Sequence, residues 1–390
     1  MFAVLSSARK SLGIAFVSIS VVLLAACQPG GLGGGPSINT NRPVAVALLV
    51  PQGSVNPGDS VLAQSLENAA RLAISDLDDV QIDLRVYPTA GLSGQAAEAA
   101  RRAVNDGAKI ILGPVFADAA NATGVAVANR NVNVLSFSNN TEIAGGNVFV
   151  LGNTFENTAN RLASYSVSQG RSNIMVVHGQ DISEEIGRDA IISAIGRSGG
   201  TLAGVAGFEL SQQGLIDAIP GIAGQVQSSG AQSVFFTSGT DGALPLLTQL
   251  LPENGVSTDV SQFIGLRRWD IPATALALPG VQNGWFALPD PALNDRFRDR
   301  YAAAYGTPPH PIAGLAYDGI AAIGALIKSG QSDALTTAAL TQGSGFVGVN
   351  GVFRLLPDGT NQRGLAIAQI RENQVIVIDP APRSFTGIGL

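Results

Sequence analysis

Val44-Ala45-Val46-Ala47-Leu48-Leu49-Val50 is an apolar run without a break. A strand with one wet face alternates apolar and polar residues. An unbroken run is the mark of a strand covered on both faces, as in parallel sheets. Leu62, Leu66, Ala69, Ala70, Ala73 and Leu77 then recur at three- and four-residue spacing, which predicts an amphipathic helix. Ile82, Leu84 and Val86 alternate with Gln81, Asp83 and Arg85, as a strand nearer an edge would. Residues 93–106 read as an Ala-rich helix, Lys109–Leu112 as a strand ended by Gly113-Pro114, 118–129 as a helix, and Val132–Phe137 as another strand. Strands alternating with helices in this way predict a parallel sheet with right-handed crossovers.

A second series follows the Asn- and Gly-rich segment Asn139–Asn153. Helices are expected at 155–169, 183–197, 213–229 and 241–251. Strands are expected at Asn173–Val177, Leu202–Phe208, Ser233–Thr237 and around Phe263-Ile264. The tail then changes character. Pro291–Tyr305, Ala313–Lys328 and Asp333–Thr341 read as consecutive helices. Val352–Leu355, Leu365–Ile370 and Val375–Ile378 read as short strands, with Pro357-Asp358-Gly359-Thr360 as a tight turn.

The N-terminus points to a compartment. Arg9 and Lys10 precede an apolar run, Leu12–Ala26, which is too short and too Ser-rich for a membrane span and has the parts of a secretory signal. Leu24-Ala25-Ala26-Cys27 resembles the bacterial lipobox, in which the cysteine is lipidated and becomes the first mature residue. That resemblance implies a signal peptide over 1–26 and a lipid-anchored protein of the cell envelope facing the periplasm. With Gln28 after the cysteine, it implies the outer membrane more than the inner. Residues 27–42, Gly-rich after the cysteine, read as a flexible tether. At ~3.6 Å per extended residue its reach is at most roughly 50 Å.

Composition closes off several functions. Cys27 is the only cysteine, so no disulfide or thiolate metal site is expected once it is acylated. There are two histidines, His178 and His310, far apart in sequence. The chain carries 23 basic and 29 acidic residues, with no basic cluster of the kind nucleic acid requires. No G-x-S-x-G elbow from a strand into a helix is present (Gly196-Arg197-Ser198-Gly199-Gly200 has the spacing but follows an expected helix), nor is any H-E-x-x-H, Walker A or post-strand G-x-G-x-x-G motif, so neither an enzyme nor a cofactor is expected.

The whole order, ending in Gly348-Val349-Asn350-Gly351-Val352-Phe353-Arg354-Leu355-Leu356-Pro357-Asp358-Gly359, resembles the type 1 periplasmic binding proteins, in the branch of leucine/isoleucine/valine receptors. The resemblance implies an α/β fold of two Rossmann-like lobes with parallel sheets, joined by a three-strand hinge. One lobe would hold 43–140 and 290–345, the other 148–284 and 350–385. The ligand would lie between them, at the carboxyl ends of the strands.

Five strand-to-helix turns should face that cleft. They offer Gln52; Phe116, Ala117 and Asp118; Asn139 and Asn140; Asp181; and Asp241. Helix N-termini suit anionic or polar groups, but each residue has a second reading. Asp118, Asp181 and Asp241 sit where helix caps are expected, and Asn139 and Asn140 suit a chain crossover. His178 and His310 read as structural. In amino-acid receptors of this family a Ser/Thr cluster after the third strand and a Thr after the fourth hold the ligand carboxylate. Val115-Phe116-Ala117-Asp118 and Asn140 stand there in this chain, so a free branched-chain amino acid is not expected. The lipobox, fold and altered clamp are most similar to the lipoproteins that activate penicillin-binding proteins, although their N-terminal helical-repeat domain has no counterpart in this chain. The leading expectation is therefore a non-enzymatic regulator of a peptidoglycan synthase. The alternative is the receptor of an ABC permease, binding a small polar solute.

Overall fold

A computed structural model describes residues 34–385; Cys27 and the signal-like segment lie outside the described residues. The first series builds β1 (Val44–Val50), β2 (Ile82–Pro88), β3 (Ile110–Leu112), β4 (Asn133–Ser136) and β5 (Val148–Val150). They form an all-parallel sheet in the order β2-β1-β3-β4-β5. Helices α1 (Pro57–Ser75), α2 (Ser93–Asn105) and α3 (Ala117–Val127) make the crossovers. The unbroken run of β1 divides between two cores. Val46, Leu48 and Val50 face Leu62, Leu66 and Ala69 of α1, whereas Ala47 and Leu49 face Ala99, Ala100 and Ala103 of α2. Asn56 starts α1 by accepting a hydrogen bond from the Gly58 N–H, with Pro57 in the first turn.

The second series comprises α4 (Phe155–Ser168), β6 (Asn173–Gly179), α5 (Ile182–Arg197), β7 (Thr201–Phe208), α6 (Gln212–Ser229), β8 (Ser233–Phe236), α7 (Leu244–Glu253), β9 (Gln262–Gly265) and β10 (Trp285–Leu288). The chain then returns to the first lobe with α8 (Pro291–Tyr305), α9 (Gly314–Lys328) and the short α10 (Thr337–Leu340). A small antiparallel sheet follows: β11 (Phe346–Gly348), β12 (Gly351–Leu355) and β13 (Asn361–Arg363). Finally β14 (Ala366–Arg371) and β15 (Gln374–Asp379) add antiparallel strands to the second sheet, whose order is β15-β14-β10-β9-β8-β6-β7. The expected α/β architecture with parallel-sheet lobes is thus present.

Several details differ from the sequence reading. The Asn- and Gly-rich segment contains β5, and β10, β11 and β13 were not anticipated; each has only three or four residues, too few to show a period. The helix expected at 333–341 shrinks to four residues. Residues 351–363, expected in the second lobe, form β12 and β13, and Phe353 and Leu355 enter the first lobe's core. Residues 34–42, read as part of a flexible tether, are held on the first lobe. Asn133 Nδ2 donates to Gly34 O (3.0 Å), Asn131 Nδ2 to Gly35 O (2.9 Å), and Ile38 N to Ser332 O (2.8 Å). Ile38 itself is buried, so this arm has an apolar anchor that its Gly-rich setting concealed.

The chain crosses between lobes after β5, after β10 and after β13, and one buried ionic knot serves these crossings. Asp318 of α9 is fully buried and pairs with Arg363 Nη1 at 2.9 Å. It also accepts from the Val349 N–H (2.8 Å) and from Asn350 Nδ2 (3.0 Å). Arg363 in turn donates to Leu151 O through Nε and Nη2. Gly348 is required here, since a β-carbon would stand 2.0 Å from Asp318 Oδ1. Asn361 closes the knot by donating to Val150 O and Gly152 O and accepting from Asn157 Nδ2.

A second ionic contact fastens the helices of the first lobe. Asp76, just past α1, receives two hydrogen bonds from Arg300 of α8 (2.5 and 2.7 Å) and one from the Tyr317 hydroxyl of α9 (2.5 Å). The Arg300 guanidinium holds the Asp76 carboxyl below its ordinary 3.8. Burial, then the Asp76 carboxylate, push the Tyr317 phenol up to about 12.

Two predictions follow from these contacts. Asp318→Ala leaves Arg363 buried without a partner and should cost about 3–5 kcal/mol in urea unfolding. Asp318→Leu combined with Arg363→Met should cost less than the two single losses added. Because the Asp76 carboxyl is depressed in the folded state, its stabilisation is present above the unfolded value of 3.8 and lost as pH falls through the folded value. Asp76→Asn should therefore flatten the acid limb of a stability-versus-pH series, leaving the neutral-pH slope unchanged.

Candidate ligand-binding cleft

At the carboxyl ends of β4, β5, β8 and β9 lies a cavity of about 380 Å³, lined by Asn139, Asn153, Phe155, Asp241, Arg267 and Ile271 among others. Of the residues expected at the cleft, the structure brings Asn139 and Asp241 to this cavity. Gln52, Phe116, Ala117 and Asp118 do not line it; they sit on the rim of the first lobe, at the carboxyl ends of β1 and β3. Phe116 is 37% exposed and occupies the cap position of α3, where it makes no side-chain bond. Asp118 is therefore not the cap but an exposed carboxylate in the first turn, favourably placed against the helix dipole.

Asp181 takes the capping role. Its carboxylate accepts from the N–H groups of Ser183 (2.8 Å) and Glu184 (3.1 Å) at the start of α5. Asn140 accepts from the Glu142 N–H and starts a short 3-10 turn. Asp241 does not cap α7, whose cap position is Ala243; its exposed carboxylate makes no hydrogen bond among the described residues. His178 is buried with Nδ1 2.8 Å from Gly179 O. His310 lines a separate cavity of about 300 Å³ where the 268–273 loop meets α8 and Asn350, and burial lowers its pKa from 6.5.

Two residues outside the set expected at the cleft organise the second-lobe wall. Glu184 is buried, and its Oε2 accepts from the Gly179 N–H (2.5 Å), the Thr237 hydroxyl (2.8 Å) and the Ser238 hydroxyl (2.8 Å). One carboxylate thus ties the ends of β6 and β8 to the first turn of α5. Arg267 follows β9. Its Nε donates to Thr237 O (3.2 Å), its Nη2 to Ser183 Oγ (3.0 Å), and its guanidinium carbon lies 5.4 Å from the Phe155 ring centre. The next residue, Arg268, is neutralised by Asp270. A sequence signal was available, since two adjacent cations follow the apolar Phe263-Ile264 strand.

The loop carrying these arginines is pinned by Trp269, which is fully buried. It fills a slot between Gly265 and Gly284, where β-carbons would stand 2.0 and 1.9 Å from the indole. Thr240 adds a hydrogen bond to Ile271 O at 2.5 Å. Phe155, Leu266, Ile271, Pro272 and Ala287 give the cavity an apolar wall, and Asn139, Asn153, Asp241 and Arg267 a polar one. Such a mixture of apolar surface and few polar groups is what small-molecule sites present. Among the described residues, no group of three or more His, Cys, Asp or Glu side chains is arranged to hold a metal ion. No described helix is long and apolar enough to cross a membrane.

Comparison with known proteins agrees with this geometry. The family model for periplasmic binding proteins matches residues 43–374. No curated protein matches the chain. Among solved structures, one from Rhodospirillum rubrum, described as a branched-chain amino acid ABC transporter, shares 17% identity at a TM-score of 0.74, covering 86% of this chain and 100% of its own. A solute-binding protein of an ABC transporter from Rhodopseudomonas palustris BisB5, solved with 3,4-dihydroxybenzoic acid, shares 18% identity at 0.58, covering 87% and 96%. An ABC transporter substrate-binding protein from Desulfitobacterium hafniense, in complex with Leu, shares 15% at 0.64, covering 86% and 100%. At these identities the structures speak for the fold, and with the family match over most of the chain they settle one point: the chain belongs to the periplasmic binding proteins, in the type 1 fold of the leucine-binding class.

Proposed function

We propose that this protein is the solute receptor of an ABC-type uptake system, taking a small polar molecule between its lobes. The observation that carries this is the cavity at the carboxyl ends of β4, β5, β8 and β9, the position at which open α/β sheets bind ligands. The family and the solved relatives, described as ABC transporter binding proteins, support the receptor over the activator of a peptidoglycan synthase. The residues after β3, Val115-Phe116-Ala117-Asp118, supply no hydroxyl cluster, which argues against a free branched-chain amino acid as ligand. In the same reading Cys27 carries a lipid and holds the receptor at the membrane, facing the periplasm.

A ligand that binds only the folded state raises its melting temperature, and closure of two lobes reduces the radius of gyration. The full chain in detergent should show both effects with at least one member of a broad library of anionic, neutral and cationic metabolites. If no compound moves either quantity, the receptor reading fails. Recovery of a peptidoglycan synthase with the full-length protein from detergent extracts would then favour the activator.

A further inference from the structure

Arg267 is a cation held ready but not neutralised. None of the ion pairs among the described residues includes it. Its two hydrogen bonds use the Nε proton and one proton of Nη2. A guanidinium has five N–H donors, so both protons of Nη1 and one of Nη2 are left without a protein acceptor. One proton from each of these nitrogens makes the two-pronged edge that holds a carboxylate through two parallel bonds. The base of the side chain is meanwhile fixed by Thr237 O, Ser183 Oγ and the Phe155 ring, so little side-chain freedom remains to be lost on binding.

The surroundings narrow what that fork would hold. Arg268 is already paired with Asp270, which leaves Arg267 as the one unpaired cation on the cavity wall among the described residues. Asp241 contributes a carboxylate to the same wall, and it would repel a second negative charge on a ligand. The apolar side of the cavity, with Phe155, Leu266, Ile271 and Pro272, suits a hydrocarbon or aromatic body.

We propose that Arg267 anchors the carboxylate of a small, singly charged organic acid, so that the second lobe captures the charged end of the ligand. This deepens the receptor reading and rests on it. It also reverses the arrangement expected from the amino-acid receptors, in which hydroxyl groups of the first lobe hold the carboxylate.

The test uses the full chain in detergent, with calorimetry and thermal melting on matched probes: benzoate and 4-methyl-2-oxopentanoate as monocarboxylates; succinate as a dianion; benzamide as the neutral counterpart; and benzylamine as the cation. At least one monocarboxylate should bind and raise the melting temperature, and succinate, benzamide and benzylamine should bind more weakly. Arg267→Ala should weaken the monocarboxylate about 10- to 100-fold, the range for loss of a charged hydrogen bond of about 1.5–3 kcal/mol. Arg267→Lys, which keeps the charge but not the fork, should fall between. An unliganded melting temperature of Arg267→Lys near that of the parent establishes that the fold is intact. The proposal is overturned if no monocarboxylate binds, if the dianion, amide or amine binds as well, or if Arg267→Ala and Arg267→Lys bind monocarboxylates as tightly as the parent. Binding of the amide, the amine or other neutral or cationic metabolites in those cases would leave the receptor reading standing.

Discussion

The buried pair Asp318–Arg363 is the constraint on which the two-lobed arrangement depends. Both side chains are out of water, and an ion pair in that setting is tolerated only if its remaining donors and acceptors are also satisfied. The chain meets this demand with backbone groups at the first crossing and in the turn between β11 and β12. Leu151 O lies just after β5, the Val349 N–H just before β12, and Arg363 itself ends β13. Satisfying the charges therefore fixes the segments through which the chain changes lobe. A purely apolar plug of the same volume would stabilise the junction without specifying their directions. The Gly348 and Asn350 positions follow from the same requirement, one by making room for the carboxylate and the other by bonding to it.

A comparable economy shapes the second-lobe wall. Glu184 gathers three donors on one oxygen, and Arg267 then spans the same region from the end of β9. The acid is absorbed into the scaffold and the base is left with open valences. Trp269 makes this possible by anchoring a long loop in a glycine-lined slot, although its buried indole N–H finds no acceptor. Packing is what holds that loop, and Arg267, two residues before the tryptophan, is left to face the cavity.

The long elements were legible in the sequence because their periods are strong. The Val44–Val50 run and the α1 stripe each correspond to a face or pair of faces in the structure. The short strands were not, since three residues such as Phe346–Gly348 become a strand only through their partners. The site was less readable than the fold. A strand-to-helix turn announces where a cleft is, and so Asn139 and Asp241 were named. Whether a charge there pairs or stays open depends on neighbours far away in sequence. Asp181 caps its own helix through N–H groups two and three residues on, a local role that its position announced, but Glu184 reaches Ser238 and Arg267 leans on Ser183. Distances between residues dozens of positions apart decide these last two roles, and no local pattern encodes them.

The N-terminal arm sets a load path. Gly34, Gly35 and Ile38 are fastened to Asn133, Asn131 and Ser332, at the ends of the first-lobe strands remote from the cleft. Any pull exerted by the chain upstream enters the molecule at that pole and is borne by the first sheet. The ionic knot and the cavity lie at the other end of the same strands. The mooring is thus a property of the first lobe alone, and none of these fastenings reaches the second.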